Sequence, residues 1–232
     1  MRVYLLRHGE SLSNADPDRI AIPEPAGDAL SERGAEQAAA AAEVVAERAI
    51  SRVVSSPMRR ARQTADAVAS RTGLELLVWD CLHELSESAG YETLPRSAQE
   101  RNRWSNRMSR HPDDPARRPD GGESFADLLG RVDRAREQLV ADGIGGTLLV
   151  GHGIFFRFMF ARTVLGEEFG PRHADWLWRI GSLNCGLSTF DHLTGDGSED
   201  PADISGWRCV TWMAPTVAEK IATGTGGVGP GF

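Results

Sequence analysis

The 232-residue sequence predicts an α/β fold, a three-layer α/β/α sandwich around a mostly parallel or mixed central sheet. Short β-prone runs alternate with longer stretches of helical period, the order that builds a sheet covered on both faces. Several of these runs end in polar clusters, and open α/β sheets bind ligands beyond the carboxyl ends of their strands. The length suffices for one sizeable core.

Taken in order, Arg2–Leu6 is the first strand and ends abruptly in Arg7-His8-Gly9-Glu10-Ser11. Residues 14–27, with three prolines and little periodicity, read as a loop. Ser31 opens an alanine-rich helix to about Arg48, with Ala35, Ala38, Ala42 and Val45 spaced for one packed face. Ile50–Ser55 is the second strand. Ser56-Pro57 then predicts a helix start, serine capping and proline in the first turn. Gly73 stops that helix, and Leu74–Trp79 follows as a third strand leading towards Glu84.

A different composition occupies residues 85–122, where arginines and prolines concentrate in a cap-like insertion with a short helix at about 98–109. Ser124 caps a helix whose Phe125, Leu128, Leu129, Val132 and Leu139 form an apolar stripe. Thr147–Val150 is a compact buried strand ending in Gly151-His152-Gly153, followed by an aromatic-rich helix. Trp176–Ile180 and Leu187–Phe190 read as strand-like pieces around Asn184, and Trp207–Trp212 as an edge strand. The reading is one domain over 1–223 with a flexible glycine-rich tail at 224–232.

Composition weighs against several function classes. The net charge of −7 disfavours a nucleic-acid partner, which calls for basic surfaces. The most apolar run, Ile154–Phe160, is broken by Arg157 and too short to span a bilayer. No secretory leader is read at the start, so the expectation is a cytoplasmic protein without membrane association. Cys81, Cys185 and Cys209 lack metal-ligand or disulfide spacing and read as small buried hydrophobes. The aromatics at 155–160 and 207–212 leave room for a homo-oligomer.

Four polar clusters therefore meet on one rim: Arg7-His8, Ser55-Ser56-Pro57, Glu84 and His152. A neutral imidazole is a competent nucleophile towards phosphorus. Arginines hold and neutralise the equatorial oxygens during transfer, and a carboxyl group protonates the departing alkoxide. This set asks for neither metal nor cofactor.

The motifs carry a resemblance. Arg7-His8-Gly9-Glu10-Ser11, Leu30-Ser31-Glu32-Arg33-Gly34 with Gln37-Ala38, and Ser55-Ser56-Pro57-Met58-Arg59-Arg60-Ala61 occur in order. Leu82-His83-Glu84, Gly121-Gly122-Glu123-Ser124-Phe125, Gly151-His152-Gly153 and Asn184 complete the set. The sequence resembles the histidine phosphatase superfamily, the phosphoglycerate-mutase-like fold, over roughly residues 1–190.

The resemblance implies that His8 is the nucleophile that becomes phosphohistidine. Arg7, Arg60 and His152 would bind the phosphoryl group, and Glu84 would be the general acid. Asn14, Ser55 and Gly153 resemble residues lining the phosphate, with Gly9 and Asn184 in support. In the insertion, Arg101, Arg103 and Trp104 are candidate substrate contacts. The implied function is a metal-independent phosphomonoester hydrolase acting on a small phosphorylated metabolite. The alternatives are phosphoglycerate mutase-type transfer and a non-catalytic phosphoryl-binding protein. The residues after Glu84 depart from the family's usual pattern, and the segment after Asn14 differs from the glycolytic mutases.

Overall fold

Val3 and Leu5 join one apolar cluster and Tyr4 and Leu6 another, the two-residue period of a strand buried on both faces. The computed structural model describes residues 1–16, 27–86, 103–118, 121–193, 206–218 and 222–224. Along these residues run β1 (Arg2–Arg7), α1 (Leu12–Ala15), α2 (Glu32–Ala46), β2 (Arg52–Ser55), α3 (Arg59–Thr72) and β3 (Leu76–Val78). Then follow α4 (Trp104–Ser109), α5 (Phe125–Asp142), β4 (Thr147–Gly151), α6 (Gly153–Leu165), β5 (Leu187–His192) and β6 (Trp207–Ala214).

One mixed sheet carries the strands in the order β3-β2-β4-β1-β5-β6. The first four are parallel, whereas β5 runs antiparallel to β1 and β6 antiparallel to β5. On one face Tyr4, Leu6, Val53, Leu148 and Val150 pack under Ala41, Ala42 and Val45 of α2 and Ala61, Ala65 and Val68 of α3. Small side chains let these two helices sit close to the sheet. On the other face Val3, Leu5, Val54 and Leu149 meet Leu128, Val132 and Leu139 of α5 and the aromatics of α6. The predicted three-layer sandwich is the observed fold.

Helix ends follow local chemistry. Ser31 Oγ accepts the Gly34 N–H at 3.0 Å, and Ser124 with Asp127 forms a reciprocal capping box. Gly73 and Gly143 end α3 and α5 at φ +73° and +64°, a conformation that favours glycine. Phe155, Phe156 and Phe158 are wholly buried, so the aromatic run of α6 fills the core. No helix among the described residues is long and apolar enough to cross a membrane.

Several predicted boundaries move. Asn14 lies in α1 rather than in a loop, because Ser11 and Asn14 cap each other's backbone. Helix α3 starts at Arg59 with no side-chain cap; Ser56 is engaged elsewhere, as described below. Trp176–Arg179 is a 3₁₀ turn, not a strand. The predicted insertion helix is observed as Trp104–Ser109, and its earlier part lies outside the described residues.

Candidate active site

Strand register brings the two histidines together. Arg7 pairs with Gly151 at the carboxyl ends of adjacent parallel strands, and the next residues are His8 and His152. The rings stand 5.2 Å apart between centroids. His8 Nδ1 lies 2.6 Å from the Gly9 carbonyl oxygen and therefore carries the proton it donates there. This leaves Nε2 unprotonated, where it accepts the Arg60 Nε–H at 3.2 Å. Burial, then Arg60 and Arg7, hold His8 well below the usual imidazole range, so the ring is neutral at pH 7. His152, wholly buried, is held down by burial first and then by Arg60, His8 and Arg7.

Arg7 donates from Nη1 to the Ser182 carbonyl at 2.5 Å, and its Nε is buried without a partner. Burial, followed by repulsion from Arg157, pushes its pKa down to about 10. The Nδ1 of His152 is likewise buried and unpartnered. A buried polar nitrogen without a partner is costly, and a bound oxyanion is the kind of group that would satisfy both.

Glu84 reaches the rim from the far side. Its carboxylate accepts the N–H groups of Ile154 at 3.0 Å, Phe155 at 3.1 Å and Leu85 at 2.9 Å, the first two in the opening turn of α6. Arg131 fixes the approach to this position. It donates to the carbonyls of Cys81 at 2.8 Å and His83 at 2.7 Å, and forms a two-pronged pair with Glu123 at 2.7 Å. Glu123, just ahead of α5, is thus the partner that holds Arg131.

The remaining expected residues are placed as follows. Ser55 is wholly buried but its hydroxyl donates to the Ser56 carbonyl at 2.8 Å, not towards the histidines. Ser56 is the residue that meets the site, with Oγ 2.7 Å from His152 Nε2. Asn184 precedes β5, which pairs with β1, so it stands beside His8 rather than beside His152: its Nδ2 donates to the His8 carbonyl at 3.1 Å and to Asn14 Oδ1 at 3.2 Å. Gly153 opens α6, and a methyl group there would lie 3.4 Å from Arg7 Nε.

Gly9 is needed for chain packing: a side chain there would meet the backbone of Gly34, whose carbonyl oxygen lies 2.4 Å from the methyl position. Trp104 is also corrected. Its indole is wholly buried against Phe125 and Phe158 and donates to the Glu123 carbonyl at 2.8 Å, so it is a core residue out of reach of substrate. Arg103 lies over the Trp178 ring at 5.9 Å, and Arg157 over the same ring at 5.5 Å. Arg101 is outside the described residues.

Sequence reasoning gave no site role to Ser56, Arg157, Gln37 or Thr223. Arg157, only 6% exposed, donates from Nε to the Ile180 carbonyl at 2.9 Å and has no carboxylate within ion-pair distance among the described residues. Its position one turn into the helix after His152 was the available signal. Gly224, assigned to a mobile tail, lies instead against Asn184 and Arg7.

A strand-end histidine pair ringed by arginines and faced by a glutamate defines a phosphoryl-handling α/β site. The chain belongs to the histidine phosphatase superfamily, branch 1, whose family model matches residues 3–198. A probable phosphoglycerate mutase, GpmB, of Yersinia pestis (strain Pestoides F) is 32% identical over 210 residues, which cover 89% of this chain and 90% of that one. The structure of a mycobacterial glucosyl-3-phosphoglycerate phosphatase superposes with a TM-score of 0.70 at 27% identity, covering 92% of this chain and 98% of that one. The alpha-ribazole phosphatase of Shigella flexneri shares the fold, with a TM-score of 0.65, 24% identity and 84% and 92% coverage.

Proposed function

We propose that the protein is a phosphomonoester hydrolase that works through a phosphohistidine on a small phosphorylated metabolite. The observation that carries this reading is the orientation of His8. Its Nδ1–H is tied to the Gly9 carbonyl and its Nε2 lone pair is directed at the Arg60 guanidinium. That is the tautomer a phosphorus nucleophile needs.

In the first step His8 Nε2 attacks phosphorus, and the bond from phosphorus to the ester oxygen breaks. Glu84, in its carboxylic acid form, gives that oxygen a proton. Arg7, Arg60 and His152 hold the three other oxygens as charge spreads over them. In the second step water attacks phosphorus, the bond from phosphorus to His8 breaks, and the Glu84 carboxylate takes the proton from water. Arginine charges perform the neutralisation, so a chelator should leave turnover unchanged.

A second reading, mutase chemistry, draws support from the 32% identical relative named a probable phosphoglycerate mutase. It would return the phosphoryl group to another oxygen of the substrate instead of to water. The deciding experiment incubates the protein with a panel of phosphorylated metabolites that includes 3-phosphoglycerate, following phosphate release and isomerised product together. His8→Ala protein serves as the blank. Phosphate release on one compound, absent in the blank, supports the hydrolase. Isomerisation without release supports the mutase, and neither signal together with no phosphorylation of His8 returns the site to a binding role.

A further inference from the structure

The turn His8-Gly9-Glu10 is held by a closed circuit of hydrogen bonds that ends in the C-terminal stretch. The Glu10 N–H donates to Gln37 Oε1 at 2.7 Å. Gln37 Nε2 donates to Thr223 Oγ1 at 2.8 Å. Thr223 Oγ1 in turn donates to Asn184 Oδ1 at 3.2 Å. Asn184 Nδ2 then donates to the His8 carbonyl at 3.1 Å. Every donor in this chain points the same way, an arrangement in which each bond polarises the next.

We propose that Thr223 is a positioning residue of the phosphoryl-transfer site, its hydroxyl joining Gln37 to Asn184 so that the nucleophile turn is gripped at both ends. Only a hydroxyl fits this place, because it must accept from one amide and donate to the other. The backbone supports the same contact: the Asn184 N–H donates to the Thr223 carbonyl at 2.8 Å. Gly224 makes the close approach possible. It sits at φ +88°, and a methyl group on it would lie 2.7 Å from Asn184 and 2.8 Å from Arg7 Nη1. Residues 223 and 224 therefore lie against Arg7 and behind His8 at once. The C-terminal stretch is part of the machinery that sets the distance between nucleophile and clamp.

This inference rests on His8 being the nucleophile, and its test separates the two. The probe is p-nitrophenyl phosphate, whose leaving oxygen needs little protonation, so that the rate reports the attack by His8. Phosphohistidine is followed by alkaline quench and intact mass, alongside kcat, KM and melting temperature, for the full-length wild type, Thr223→Val, Thr223→Ser and Gly224→Ala.

Thr223→Val is expected to slow phosphohistidine formation and kcat by about tenfold to 100-fold, the scale of a misplaced nucleophile, with KM little changed. Thr223→Ser keeps both bonds and should return the rate to near wild type. Gly224→Ala should slow the same step by displacing Arg7 and Asn184 without touching the hydroxyl. Thr223→Val at the wild-type rate overturns the proposal while leaving the His8 assignment intact. So does a Thr223→Ser protein as slow as Thr223→Val, because then the hydroxyl is not what acts. Absence of phosphohistidine in the wild type overturns the nucleophile assignment itself, and this inference with it.

Discussion

Arg60 Nε stands 3.2 Å from His8 Nε2 and donates a hydrogen bond to the lone pair of that ring nitrogen. In the proposed mechanism this nitrogen is occupied until a phosphoryl group arrives, when Arg60 would exchange a ring nitrogen for an oxygen. The exchange needs a planar fork that can serve both partners from one position. Asp28 lies 4.0 Å from Arg60 Nη1, and Arg60 Nη2 donates to Met58 Sδ at 3.6 Å.

Arg60→Lys should therefore fail to substitute. A lysine keeps the charge but has no second N–H in the plane of the phosphoryl oxygens. We expect kcat to fall on the order of 100- to 1000-fold, the cost of one transition-state donor. Steady-state kinetics on an aryl phosphate would check this, and a loss under about tenfold would mean that charge alone suffices.

Glu84→Gln tests two properties at once. All three of its hydrogen bonds are accepted from backbone N–H groups, and a glutamine NH₂ would oppose at least one of them. A stability loss of about 1–3 kcal/mol is expected, read by denaturant melts. Turnover of alkyl phosphates should fall much more than turnover of p-nitrophenyl phosphate. Equal losses on both would assign Glu84 to the water step or to shaping the pocket.

The buried histidines predict a stability profile. His8 and His152 both have native pKa values well below the usual imidazole value, from burial first and then neighbouring positive charges. The folded state therefore favours the neutral rings. Their contribution is complete above the unfolded value of about 6.5 and is lost as pH falls from there towards the native values. Melting temperatures in phosphate-free buffer should decline through that window. His152→Asn should show a shallower decline, and an unchanged slope would mean that other groups set it.

Gly34→Ala should be among the most damaging single substitutions. Its methyl group would fall 1.9 Å from the Glu10 carbonyl oxygen, a backbone atom that cannot rotate away. The cost is expected at about 2–4 kcal/mol, with activity lost alongside because the displaced backbone follows the nucleophile directly. A thermal melt of the purified variant would check this.

Much of the site was legible because strand ends advertise themselves. A short apolar run stopping at Arg7-His8 and a buried one stopping at His152 put both histidines on the same rim before any coordinates. The misses have physical causes. Ser56 was read as a helix cap because serine before proline usually is one; its hydroxyl accepts the Met58 N–H just ahead of the helix and also meets a histidine from another strand. Trp104 sits among arginines and prolines and looked exposed, yet its indole completes an aromatic cluster contributed by α5 and α6. Gly9 was singled out, but its crossing with Gly34 joins segments whose contact no local pattern reveals. Gln37 and Thr223, 186 positions apart, carry no periodic signature at all.

The strand order has a consequence for how the chain comes together as it is made. β1 is the first strand to be synthesised, yet both of its neighbours, β4 and β5, come from the later part of the chain. Arg7 and the carbonyl that anchors it are 175 positions apart. A nascent chain must therefore carry an apolar strand without partners through most of translation, the kind of long-range closure that slows folding and invites misassembly. The histidine at the end of that strand has its carbonyl tied to Asn184, 176 positions later, so the surroundings of His8 are complete only once that late segment has docked.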